Sequence, residues 1–150
     1  MRSLGTQLRN LIEKLDSSVE QVYQDYDLAF KPRYYPVAII LDAHGPLSIK
    51  ELSAKTGVSH SAMSQTITDM KKTGWLDSFV GEDRRQRKVD FSQNVKQHLP
   101  QLKKIWSAVD AAANELNQSL PTPLEETMAT LNENLSQQSF YNRIKEQLNK

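Results

Sequence analysis

The stretch that most constrains this chain runs from Leu47 to Ser92, LSIKELSAKTGVSHSAMSQTITDMKKTGWLDSFVGEDRRQRKVDFS. Its start and stop signals prescribe a short helix, a tight turn, a second helix and a hairpin. Ser48 followed by Glu51 is a capping box, in which each side chain satisfies a free backbone N–H of the other residue. Ile49 and Leu52 give the first helix an apolar face, and Gly57 supplies the left-handed residue that ends it. Val58 stands one step beyond, where the hydrophobic contact of such a cap belongs. Ser59 can N-cap the next helix. Met63, Ile67 and Met70 recur at i, i+4 and i+7 as its inner stripe. Lys71 and Lys72 suit the negative end of the helix dipole, and Gly74 stops the chain.

The outer face of this second helix is unusual. At 100° per residue, the side opposite the apolar stripe carries Ser61, Gln65, Thr68 and Lys72, flanked by Ala62 and Ser64. A solvated surface helix would carry more Glu and Lys. Gln can address the adenine edge in both directions, Ser and Thr meet either donor or acceptor, and Ala touches a thymine methyl. By itself such a face suits base readout and a merely polar surface equally well. The next segment separates them. Trp75–Val80 and Lys88–Phe91 are strand-like runs around Gly-Glu-Asp-Arg-Arg-Gln-Arg, a polar tip with three arginines. Alone, such a tip is a hairpin turn kept soluble by its charge. A helix-turn-helix followed at once by a basic hairpin is a winged helix-turn-helix. A cationic loop beside the second helix can reach phosphates or the narrow minor groove.

Leu52, Gly57, Val58, Ser59, Met63, Ile67, Met70, Gly74, Trp75 and Leu76 fall where MarR-type winged-helix regulators place their framework. Asp83-Arg84-Arg85, followed by Val89, Phe91 and Ser92, is similar to that family's wing signature of Asp-x-Arg, hydrophobic strand and Ser/Thr helix cap. The resemblance is strong over 47–92 and architectural elsewhere; Trp75 departs from the usual aliphatic residue. It implies a mainly α fold with a small β-hairpin wing, flanked by long N- and C-terminal dimerisation helices.

The residues expected to meet DNA are Ser59, His60, Ser61, Ala62, Ser64, Gln65, Thr68, Lys71 and Lys72 of the second helix. In the wing they are Asp83, Arg84, Arg85, Arg87 and Lys88. His60 serves equally well as a solvated neighbour of the cap. Asp83 is the oddity, an acid at the tip of a loop that approaches a polyanion. Standing two residues from Arg85, its carboxylate is expected to hold the guanidinium fork in one orientation.

The 150 residues suit a single domain, with a winged helix-turn-helix lobe over 34–91 and a helical dimerisation region formed by 1–30 and 92–150. Net charge is only +1, so the chain is not globally basic, but cations cluster at Lys71-Lys72 and around the wing tip. The sequence contains no cysteine, which excludes disulfides, thiolate metal sites and cysteine-based redox sensing. The first ten residues lack an apolar signal region, and the longest apolar run, Val37–Leu41, is far short of a membrane span. A cytoplasmic protein without membrane contact is expected.

Residues 3–26 read as an amphipathic helix with Leu4, Leu8, Leu11, Leu15 and Val22 in its stripe and Ser3 as N-cap. Phe30-Lys31-Pro32 interrupts it, and a second helix over Tyr34–Ala43 carries Val37, Ile40 and Leu41 inward, with Pro36 in its first turn. After the wing, Ser92 is expected to cap a long helix. Its seam is Val95, Leu99, Leu102, Trp106, Val109, Ala113, Leu116 and Leu120, with Pro100 marking a kink or a frayed start. Thr122-Pro123-Leu124-Glu125 reads as another capping box, ahead of a face of Leu124, Met128, Leu131 and Leu135. A bend is expected near Ser136–Ser139.

Seams of this length have too little partner surface inside one short chain, which points to a homodimer, and the resemblance implies the same. The function expected is a transcriptional regulator, a repressor on a pseudo-palindromic operator of double-stranded DNA. The resemblance further implies a small-molecule effector held between the dimerisation helices and the lobe, with Tyr23, Tyr26, Phe30, Tyr34, Tyr35 and Trp106 as candidate lining. Aromatics at helical spacing are residue by residue more often core. The competing class is a winged-helix adaptor for protein contacts that does not bind DNA. No Ser/His/Asp grouping, phosphate-cradling Gly loop or metal-spaced set is present, so neither an enzyme nor a cofactor or metal is expected.

Overall fold

The fold is taken from a computed structural model that describes residues 3–150. The chain forms two compact units, one ending at Ile105 and the other beginning at Trp106.

The first unit opens with α1, Leu4–Asp25, N-capped by Ser3, whose Oγ accepts the Thr6 N–H at 3.2 Å. Leu4, Leu8, Leu11, Ile12 and Leu15 lie exposed along α1, whereas Tyr23 near its end is buried. A 3-10 turn, Pro32–Tyr34, leads into α2, Tyr35–His44. This helix starts and ends one residue later than its apolar pattern suggests, because the tight turn at Pro32 absorbs Tyr34. Val37, Ala38 and Leu41 are its buried residues.

The local signals of the central stretch act as written. Helix α3, Ile49–Thr56, begins with a reciprocal capping box: Ser48 Oγ accepts the Glu51 N–H at 3.1 Å, and the Ser48 N–H donates to Glu51 Oε2 at 2.7 Å. It ends at Gly57, whose φ of +73° is left-handed and open to glycine at little steric cost. Helix α4, His60–Lys72, is capped by Ser59 Oγ on the Ala62 N–H at 3.2 Å. Met63, Ile67 and Met70 are fully buried with Leu41, Leu52, Leu76 and Leu102, and this is the core on which α4 rests.

The hairpin gains a third strand that the sequence does not announce. β1 is Leu47–Ser48, β2 Leu76–Val80 and β3 Arg87–Phe91, in the antiparallel order β1-β3-β2. β3 begins one residue earlier and β2 one residue later than the apolar runs imply. Leu47 faces Val89 and Leu76 faces Phe91, so one face of the sheet is pinned to the core. A two-residue strand has no periodicity to read; it exists because β3 pairs with it.

Ser92 does not cap a helix. Its N–H donates to Trp75 O at 3.0 Å and its Oγ to Gly74 O at 2.6 Å, so this buried residue ties the end of β3 to the end of α4. The long helix starts later: a 3-10 turn, Lys96–His98, precedes α5, Leu99–Gln118. Pro100 therefore sits in the first turn of α5, where a missing N–H costs little. Of the expected seam, Leu102 and Trp106 are buried, Val95, Leu99 and Val109 half-buried, and Ala113 and Leu116 exposed; Leu120 lies past the helix end. Ile105, outside that seam, is buried as well.

In the second unit, α6 is Leu124–Gln137 and α7 is Phe140–Leu148. The Thr122–Glu125 capping box does not form. Pro123 occupies the N-cap position, and Asn117 of α5 substitutes for a local cap. Asn117 Oδ1 accepts the Leu124 N–H at 3.2 Å while Asn117 Nδ2 donates to Glu125 Oε1 at 2.6 Å. The expected bend is a full break, with Ser139 capping α7 through the Asn142 N–H at 3.2 Å. Leu116, Leu131, Leu135, Phe140, Tyr141 and Leu148 are all exposed on this unit.

Candidate nucleic-acid interface

α4 is anchored by its apolar stripe and capped at both ends, so its opposite face is presented rigidly. Ser59, His60, Ser61, Ala62, Gln65, Thr68, Lys71 and Lys72 are exposed, and Ser64 is half-buried. Thr68 Oγ1 donates to Ser64 O at 2.8 Å, which leaves its hydroxyl oxygen as an acceptor toward a ligand. The outer surface of α4 therefore carries short neutral hydrogen-bonding groups with two lysines at its C-terminal end.

The wing tip joins β2 to β3. Arg84, Arg85 and Arg87 are exposed there, and Lys88 is half-buried with its stem along Gly81, where an added Cβ would come within 3.3 Å of it. Asp83 behaves differently from the expected clamp on a guanidinium. Its Oδ1 accepts the backbone N–H of Arg85 at 3.0 Å, and its carbonyl accepts the Gln86 N–H at 2.9 Å. The acid shapes the turn rather than holding the arginine side chain; Asp favours this short-range bond to the N–H two residues on.

The aromatic candidates separate. Tyr23, Phe30 and Tyr34 pack ring on ring, Tyr23–Phe30 at 5.0 Å and Phe30–Tyr34 at 5.5 Å between centroids, both edge-to-face. Trp75 joins them at 5.0 Å from Phe30 and donates its Nε1–H to Ala29 O at 2.8 Å. Tyr23, Phe30 and Tyr34 are thus core of the first unit instead of the lining of an open pocket. Trp106 is also buried, Tyr35 is half-buried and Tyr26 is 55% exposed.

A functional-looking cluster went unannounced by the sequence. Asp69 of α4 receives, on Oδ2, the Tyr34 hydroxyl, the Arg33 guanidinium and the Lys31 ammonium, the last at 3.0 Å. The Tyr34, Arg33 and Lys31 hydrogen bonds together hold the Asp69 carboxyl well below the usual carboxylate range. The same bonds raise the pKa values of Lys31 and Arg33. These partners lie 35 to 38 residues from Asp69, so no local spacing could reveal them. Among the described residues no group of three or more His, Cys, Asp or Glu is placed to hold a metal ion, and no helix is long and apolar enough to cross a membrane.

Three helices ending in α4, closed by a three-stranded sheet with a basic tip, define a winged helix-turn-helix protein. Residues 30–86, from Phe30 through the wing tip, match the sequence model of the MarR family. That family consists of transcriptional regulators and not enzymes. No curated protein matches the sequence. Among solved structures, the chain is similar to the transcriptional regulator MosR of M. tuberculosis in complex with DNA, at 14% identity and a TM-score of 0.70, covering 93% of this chain and 100% of that one. It is similar also to apo MarR from E. coli, at 16% identity and 0.56, covering 91% and 96%. NadR in complex with 4-hydroxyphenylacetate gives 15% identity and 0.55, covering 91% and 92%. At such identities the likeness establishes the fold.

Proposed function

We propose that this chain is a homodimeric DNA-binding transcriptional regulator, a repressor that places two copies of α4 in successive major grooves of a pseudo-palindromic operator. The observation that carries it is the outer face of α4, where Ser61, Ala62, Gln65 and Thr68 are exposed on a helix fixed by three fully buried residues. Such a face can discriminate base edges, while Lys71, Lys72 and the wing arginines neutralise phosphate. The MosR structure, solved on DNA, supports the same use of the fold.

The dimer is supported by the exposed stripes of α1 and of the C-terminal helices. These leucines are already about half-buried, so covering the rest of each against a second copy contributes roughly 0.7–1.5 kcal/mol. Two-fold symmetry then sets the half-sites about one helical turn apart. Relief by a small molecule belongs to the same proposal and is supported by the hydroxyphenylacetate complex of NadR. A cytoplasmic location follows from the DNA target. Having no cysteine, the chain would sense its signal by binding rather than by thiol oxidation.

Binding-site selection on random duplex DNA with the purified protein tests this directly. A palindromic consensus with half-sites about one turn apart is the expected result. Failure to retain any duplex at low salt would favour an adaptor that contacts protein.

A further inference from the structure

Lys31 and Arg33 precede α2 and belong to neither the recognition helix nor the wing, yet both reach Asp69 on α4. Asp69 stands four residues after Gln65 and three before Lys72, one turn along the side of the helix that borders the readout face. Two cations meet one carboxylate here, and Tyr34 adds only a neutral hydroxyl. One counter-charge would suffice to neutralise Asp69, so the second is surplus. Both cations also stay open to solvent, with side-chain exposures of 42% for Lys31 and 53% for Arg33. An ammonium has three N–H donors and a guanidinium five, so their bonds to Asp69 leave donors to spare.

We propose that Lys31 and Arg33 form a phosphate-binding site on the flank of the recognition helix, with Asp69 as the residue that positions them. The proposal rests on α4 entering the major groove; a strand bordering that groove then passes the side of α4 that Asp69 occupies. Asp69 fixes one edge of the guanidinium, so Arg33 loses less rotamer freedom when a phosphate arrives at the other. Tyr34 stiffens the arrangement, since its buried ring lies 5.7 Å from Lys31 Nζ and 5.8 Å from Arg33 Cζ. With its carboxyl held low, Asp69 stays ionised throughout the neutral range. The site touches no base edge and adds affinity equally to all sequences.

Two measurements test it. The first compares wild type, in which Asp69 holds both cations, with the variant carrying Lys31→Gln, Arg33→Gln and Asp69→Asn together, which removes the two cations and leaves no orphaned carboxylate. Duplex affinity is measured from 50 to 200 mM salt. Loss of two phosphate contacts should make the salt slope shallower by about two, and the affinity drop over that range about tenfold smaller. Equal slopes overturn the proposal. The second needs no variant: lysines of the wild-type protein are acetylated with and without bound duplex. Lys31 and Lys72 should both be protected in the complex. Protection of Lys72 with Lys31 still reactive overturns the flank site alone, whereas a wild-type protein that binds no duplex overturns this site and the regulator function together.

Discussion

Asp83 accepts the backbone N–H of Arg85 at 3.0 Å and leaves the Arg85 guanidinium to solvent-facing chemistry at the wing tip. The acid is a turn-former in a cationic loop. Asp83→Asn keeps an oxygen acceptor in the same place while removing a negative charge that repels DNA. Asp83→Ala removes both. Duplex affinity should rank Asp83→Asn at or above wild type, and Asp83→Ala below it by several-fold, since one modest hydrogen bond of about 0.5–1.5 kcal/mol orders the tip. Tighter binding by the alanine variant would mean that charge alone matters at this position.

The Asp69 cluster links stability to pH. Its folded-state pKa is depressed from the ordinary value of 3.8, so the stabilisation is complete above that value and is lost as pH falls through it toward the folded pKa. Denaturant unfolding of wild type should therefore weaken between about pH 5 and pH 2 by more than that of Asp69→Asn. Parallel pH profiles for the two proteins would show that the three hydrogen bonds do not stabilise the charged form.

Leu116 is 59% exposed in the single chain, so a charge there does not disturb the core of the protomer. Leu116→Asp should keep its helical circular dichroism and sediment as a monomer at concentrations where wild type is dimeric. A buried carboxylate at a dimer seam costs several kcal/mol, on the order of the unpaired-charge penalties seen inside proteins. A variant that still sediments as a dimer would remove α5 from the interface.

Asn117 replaces a local cap for α6. Asn117→Ala should lower stability by about 1 kcal/mol, the usual loss for a helix cap, and Thr122→Ala should cost almost nothing. The reverse order in thermal melts would restore the capping box that the sequence suggests.

How legible the fold was depended on the range of each signal. Ser48 with Glu51, Gly57, Ser59 and the Met63–Ile67–Met70 stripe act within one or two helical turns, and the structure places each as the spacing implies. Ser92 and Thr122 carry the same kind of cap chemistry, but competing partners win: the carbonyl of Gly74 takes the Ser92 hydroxyl, and Asn117 reaches across the turn to α6. β1 escapes detection because a two-residue strand is defined by its partner. Asp69 escapes for a related reason, since Lys31, Arg33 and Tyr34 approach it only once α2 and α4 are packed. The exposed faces of α4 and the wing were readable as surface; that Asp83 bonds to backbone was not, because the same two-residue spacing permits either bond.

In the proposed complex α4 reads bases while its terminal lysines hold phosphate, and Gln65 and Lys72 separate the two roles. The measurement is the affinity of Gln65→Ala and Lys72→Ala for the selected duplex and for a scrambled one, at the same salt. Gln65→Ala should lose about 1–3 kcal/mol on the selected duplex and nothing on the scrambled one. Lys72→Ala should weaken both about equally, with a salt slope lower by about one. Unchanged affinity of Gln65→Ala for the selected duplex, with the same consensus recovered on reselection, would contradict readout by this face.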